Sequence, residues 1–168
     1  MNAVYAAIVE SARLENLKLL TTACGIFPFY SPAEHGGDLE IQTTWENVTF
    51  LHEEERILGS CEWTFLCHAE GFDGPPVTIR ASYLVEYRAV GDNEEIAVAY
   101  LKDVGRMAAY PFFRTHVATL LSGAQLMLPP LPVITMGTFR DSDRISARIR
   151  PLRQKQETPG AADEKDAQ

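Results

Sequence analysis

Two runs in the middle of the chain alternate apolar and polar residues with a period of two. In 57–69, Ile57, Cys61, Trp63, Phe65, Cys67 and Ala69 share one parity against Ser60, Glu62, Thr64 and His68. In 77–89, Val77, Ile79, Ala81, Tyr83, Val85, Tyr87 and Ala89 alternate with Thr78, Arg80, Ser82, Glu86 and Arg88. Successive strand side chains point to opposite faces, so this spacing predicts two antiparallel strands with one buried face each. Gly71-Phe-Asp-Gly-Pro-Pro joins them as a hairpin loop. A third strand, 38–50, carries a defect: Leu39, Ile41 and Trp45 share one parity and Val48 and Phe50 the other, which calls for a bulge. Looser alternation from Leu14 predicts a fourth strand near 14–22.

Helical spacing appears on either side of these strands. Residues 3–12 read as a short helix with Val4 and Ile8 on one face. After the hairpin, Asn93 is placed to cap a helix whose first turn holds Glu94 and Glu95 and whose apolar positions are Ile96, Ala99, Val104 and Met107. A second helix is predicted to begin at Tyr110-Pro111, with the proline in its first turn, and to end at Gly123. Its stripe is Phe113, Val117, Leu120, Leu121 and Ala124. Three prolines then fall within Leu126-Met-Leu-Pro-Pro-Leu-Pro-Val-Ile134, which must be extended. Ile145 and Ile149 suggest a short helix at 141–150, and 154–168 has the composition of a disordered tail. The expectation is an α+β fold: a four-stranded antiparallel sheet with a long helix on one side. It occupies 1–139, with a core at about 13–135, followed by a basic segment and tail at 140–168.

Charge sharpens that division. Residues 1–139 hold 8 Lys and Arg against 17 Asp and Glu, whereas 140–168 hold 7 against 6. Within 140–155, six basic residues face only Asp141 and Asp143. This segment either folds as a helix onto acidic loops such as Glu53-Glu54-Glu55, the favoured reading, or contacts a partner through Arg140, Arg144 and Arg148. A net charge of −8 argues against nucleic acid as a partner. The longest apolar stretch, Ala108 to Ile134, is broken by Arg114, His116, Gln125 and its prolines, so no membrane insertion is expected. The N-terminus lacks a basic leader, which suggests a cytoplasmic protein.

Candidate chemistry is sparse. Cys61, Cys67 and His68 invite a metal reading, but six residues of strand span roughly 20 Å and His68 points away from Cys67. Buried cysteine is more often a small hydrophobe. No phosphate loop, dinucleotide fingerprint, nucleophile elbow or zinc-binding helix motif is present, and the expectation is a non-enzyme without cofactor. What stands out is a surplus of large apolar residues over the needs of one sheet face: Trp45, Phe50, Leu51, Phe112, Met127, Leu131 and Ile134. They either close the core and an oligomer seam, or line a groove for apolar segments of other proteins. A closed small-molecule pocket between sheet and helix is a third option.

The string Tyr110-Pro-Phe-Phe-Arg114, the helix, Gly123 and the Leu/Pro-rich segment Leu126 to Val133 together resemble the SecB and SecB-like export chaperones. The likeness covers roughly 38–135. It implies an ATP-independent chaperone, a homotetramer built as a dimer of dimers, that keeps unfolded or secretory polypeptides export- or folding-competent. The client-binding residues it implies are Phe112 at the helix start and Leu126, Met127, Leu128, Leu131, Val133 and Ile134 on the extended segment. Trp45, Phe50 and Leu51 would lie near the strand crossover. Implied partners are non-native polypeptides, together with either the SecA translocation motor or an antitoxin. Thr135-Met-Gly-Thr-Phe-Arg departs from the family's usual Asn-Phe-Asp continuation, and Arg80 and Arg88 interrupt the acidic sheet face that contacts the motor.

Overall fold

The computed structural model describes residues 3–135 and 144–149. Its chain order is α1 (Ala3–Ser11), β1 (Arg13–Ile26), α2 (Pro32–His35), β2 (Gly37–Leu51), β3 (Arg56–His68), β4 (Val77–Arg88), α3 (Glu94–Tyr100), α4 (Arg106–Gly123) and β5 (Arg144–Ile149). The strands form one antiparallel sheet in the order β1-β4-β3-β2-β5. The fold is α+β, with five strands where four were expected.

Alternation places the core as the sequence indicates. Ile57, Cys61, Trp63, Phe65 and Cys67 of β3 and Val77, Ile79, Ala81, Tyr83, Val85 and Tyr87 of β4 are buried on one sheet face. Each wholly buried side chain of this size stabilises the fold by about 1.5–3 kcal/mol before entropy is counted. The parity change in β2 is a bulge: its register on β3 shifts between Glu46 and Thr49, and Asn47 takes a φ of 52°. On the opposite face Glu86, 7% exposed, is ion-paired with Arg56.

The fifth strand corrects the helix expected at 141–150. Ile145, Ala147 and Ile149 fit a period of two as well as Ile145 and Ile149 fit a helical turn. The open edge of β2 decides between them by pairing Gly37–Gln42 with 144–149. Its arginines also meet a different partner from the acidic loop. Arg144 lies 3.5 Å from Glu40 and Arg148 3.6 Å from Asp38. Arg140 and the expected tail at 154–168 lie outside the described residues. At the other end, Ile8 of α1 and Ala12 are buried, so the core starts ahead of residue 13.

The helical region differs from expectation in phase. Asn93 caps α3 as anticipated, its side-chain oxygen accepting from the Ile96 N–H at 3.1 Å. The chain does not stop before Pro111, however. A π-turn at Leu101–Gly105 joins α3 to α4, and Pro111 lies inside α4 rather than in its first turn. One set of buried positions runs at intervals of four, Ala97, Leu101, Gly105, Ala109, Phe113, Val117 and Leu121, with Tyr100 and Tyr110 buried beside it. In a regular α-helix a four-residue repeat drifts about 40° per step. The wider π-turn takes back about one residue's rotation, keeping the repeat on the sheet. Ala99, expected on the apolar face, is exposed, because α3 turns Ala97 and Tyr100 inward instead.

Trp45 shows why the turn passes there. A Cβ on Gly105 would stand 3.0 Å from Trp45 Cη2, and one on Gly59 would stand 3.3 Å from Trp45 Cε3. The indole is held between β3 and the π-turn, where two glycines leave it room.

Candidate functional site

The extended segment after α4 has little secondary structure of its own and is held by its neighbours. α4 ends at Gly123, the Leu126 N–H donates to the Leu121 carbonyl at 2.9 Å, the Leu128 N–H donates to the Leu126 carbonyl at 3.0 Å, and the chain continues to Thr135 without helix or strand. Leu131 and Ile134, 3% and 6% exposed, insert into the core. The Tyr110 hydroxyl donates to the Pro132 carbonyl at 2.7 Å. Tyr110 itself packs 5.0 Å from Trp63, which stacks on Phe113 at 5.7 Å. Burial raises the Tyr110 phenol to about 12, so it remains a donor at neutral pH.

Between this segment and α4 lies an open groove of about 780 Å³. Arg114, Ala118 and Leu121 form its helical wall, Leu126 to Leu128 the facing wall, and the prolines extend it toward Leu131. Met127 projects there almost fully, at 90% exposure. A second groove, of about 510 Å³, lies on the other flank of the same helix turn, between α4 and β1. Leu19, Tyr83, Phe112 and His116 line it, and Pro111 and Thr115 border both grooves. His116, read from sequence as a helix-surface residue, is half-buried and hydrogen-bonded through Nε2 to Thr22 Oγ1 at 2.7 Å. Phe112 is 57% exposed at the start of this second groove.

The residues marked from sequence therefore divide. Phe112, Leu126, Met127, Leu128 and Leu131 meet around the two grooves. Val133 is exposed further along the segment and Ile134 is buried beneath it. Trp45, Phe50 and Leu51 do not lie near the crossover. That connection is the β1–β2 loop at 27–36, whereas Phe50 and Leu51 end β2, roughly 40 Å of strand away.

The crossover carries aromatics that the sequence reading passed over as loop. Phe27, Tyr30 and His35 surround Phe72 of the β3–β4 loop at centroid distances of 5.2, 5.7 and 5.1 Å. Phe29 stands out from them at 81% exposure. The available signal was three aromatics within four residues of a proline-containing loop.

The thiols are not arranged for chemistry. Burial pushes Cys61 up to about 11 and raises Cys67 as well, and each pairs with a neighbouring hydroxyl, Thr43 at 3.4 Å and Tyr30 at 2.9 Å. Among the described residues, no group of three or more His, Cys, Asp or Glu is gathered to hold a metal, and no helix is long and apolar enough to cross a membrane.

No family model matches the sequence, and no curated protein matches it. A solved structure does match: the SecB-like chaperone Rv1957 of Mycobacterium tuberculosis, in complex with a ChAD peptide from the Rv1956 HigA1 antitoxin. The TM-score is 0.63 at 19% identity, over 80% of this chain and 98% of that one. At that identity the likeness is one of fold: the sheet and long helix described above have a SecB-like arrangement.

Proposed function

We propose that this chain is an ATP-independent holdase that binds extended apolar segments of non-native polypeptides along the two grooves beside α4. The observation that carries the reading is the pair of grooves sharing Pro111 and Thr115, with Phe112 and Met127 exposed beside them. Monomeric proteins seldom leave such apolar groups in open grooves unless something docks there. Burial of client side chains, at about 25 cal/mol per Å², supplies the affinity, offset by ordering of the client. The open shape favours a polymer over the closed small-molecule pocket.

The test is suppression of aggregation of a chemically unfolded model protein, without nucleotide. Aggregation unchanged at stoichiometric excess of well-folded protein overturns the proposal. A narrower version is that the client is a single antitoxin. The antitoxin-derived peptide bound to the structurally similar Rv1957 favours it. A toxin–antitoxin pair beside the gene would support that version, and translocase genes would support general export.

A further inference from the structure

We infer that the outer edge of β2 is an exchangeable strand-binding site, occupied here by the chain's own β5, and that its other occupant is an extended polypeptide segment with the same basic–apolar alternation. The identification of that segment with a non-native client rests on the holdase reading; the strand site does not.

Three observations support it. First, the edge already accepts a strand in full register, Gly37↔Ile149 to Gln42↔Arg144. An added strand takes its affinity from the backbone ladder, which any extended peptide offers, and its selectivity from alternate side chains. Second, those side chains meet a prepared surface. Glu40, 18% exposed, accepts from the Gln42 amide at 2.9 Å and sits 3.2 Å from His68 Nε2, so its carboxylate is held in place beside Arg144. Asp38 stands two residues away beside Arg148. On the inner face Ile145 pairs with Ile41 and packs against the core.

Third, β5 is lightly held. It packs chiefly on β2, its half-buried Ile145 is its main described apolar anchor, and Arg144 and Arg148 are 67% and 82% exposed. Exposed ion pairs of this kind contribute little each. A strand held chiefly by one ladder, with Ile145 its half-buried aliphatic group among the described side chains, belongs to the part of a fold that opens without global unfolding. Removing it bares a row of backbone donors and acceptors, the template to which another chain adds.

The experiment uses the full chain and a fluorescein-labelled peptide, Arg-Ile-Ser-Ala-Arg-Ile with Gly-Ser flanks, read by anisotropy. A Cys24→Ser, Asp38→Cys, Arg148→Cys variant joins register partners with a disulfide and locks β5 down. Reduced, it should bind the peptide, more weakly than the wild type because the Asp38 carboxylate is gone from the edge; oxidised, it should not bind. Arg144→Glu with Arg148→Glu weakens the resident strand and should tighten peptide binding about tenfold, while a peptide with Glu for both arginines, facing Glu40 and Asp38, should bind about tenfold more weakly than the Arg peptide. Equal binding to the locked and reduced forms, or no binding even to the double-Glu variant, overturns the inference. A dimer that the disulfide abolishes would assign the edge to a second copy and also overturn it. Failure of the holdase reading is separate: the peptide would still exchange, but aggregation would proceed unchecked.

Discussion

The Tyr110 hydroxyl donates to the Pro132 carbonyl at 2.7 Å, and this bond ties the groove's two walls together. Tyr110 is buried on α4 behind the helical wall, fixed by Trp63, and Pro132 is on a segment whose prolines cannot donate to a ladder. Buried Leu131 and Ile134 flank the bond, so the segment's position depends on three adjacent anchors.

Tyr110→Phe removes the donor while keeping the ring. The net cost should be about 1 kcal/mol, the usual worth of such a bond. The segment at 126–134 should exchange its amide hydrogens faster, and client affinity should fall further than stability does. Hydrogen exchange by mass spectrometry, together with the aggregation assay, checks both. Unchanged protection at 126–134 would show that Leu131 and Ile134 suffice.

Phe112→Ala and Met127→Ala should weaken client binding while moving stability by less than about 0.5–1 kcal/mol, because both side chains are mainly exposed. Leu131→Ala should behave differently. Its side chain is 3% exposed, so truncation should cost about 2–5 kcal/mol and lower the melting temperature. Paired measurements of melting temperature and client affinity separate the two groups.

Gly105→Ala places a methyl group 3.0 Å from Trp45 Cη2 and 3.2 Å from Leu101 Cδ1 and Val85 Cγ1. Overpacking of this kind costs about 1–3 kcal/mol. A fall in melting temperature with altered Trp45 fluorescence is expected; an unchanged melt would mean that the π-turn yields easily.

Acid should loosen β5. The Gln42 amide, followed by the His68 hydrogen bond and the charges of Arg144 and His68, holds Glu40 below its ordinary value of 4.5, against an opposing push from burial. A depressed carboxylate contributes its stabilisation fully above the unfolded value and loses it as pH falls through the folded one. The stability difference between the wild type and Glu40→Gln should therefore be level above pH 4.5 and shrink below it. At a partly exposed site it should be about 1 kcal/mol or less. Denaturant melts across the acid range test this.

Assembly should follow from β1. It is a 14-residue edge strand with Leu14, Leu19 and Leu20 exposed at 46%, 42% and 47%, and Val4 and Val9 of α1 are exposed as well. A long apolar edge invites a second chain, and a homo-oligomer such as the expected tetramer would cover it. Sedimentation showing only an 18.7 kDa monomer at micromolar concentration would contradict this, whereas Leu20→Lys, outside both grooves, should shift an oligomer toward monomer.

The strands β2, β3 and β4 were legible in the sequence because a period of two writes burial directly into residue type. From Cys61 to Cys67, one parity is apolar and packs under α4. Even the bulge near Asn47 was visible as a change of parity. The extended segment was equally legible, since Pro129, Pro130 and Pro132 forbid the alternatives locally. Tertiary structure alone decided the rest. Ile145 and Ile149 satisfy a helix and a strand alike, and only the vacant donors and acceptors of β2, about 100 residues earlier, select the strand. The phase of α3 against α4 depended on a π-turn that no residue preference specifies. It arises because Trp45, Gly59 and Gly105 must fit together between sheet and helix. The grooves followed the same logic: sequence marked Phe112 and Met127 as apolar, but Leu131 and Ile134 are apolar too. Which side chains face solvent and which anchor the segment was set by where Tyr110 holds Pro132.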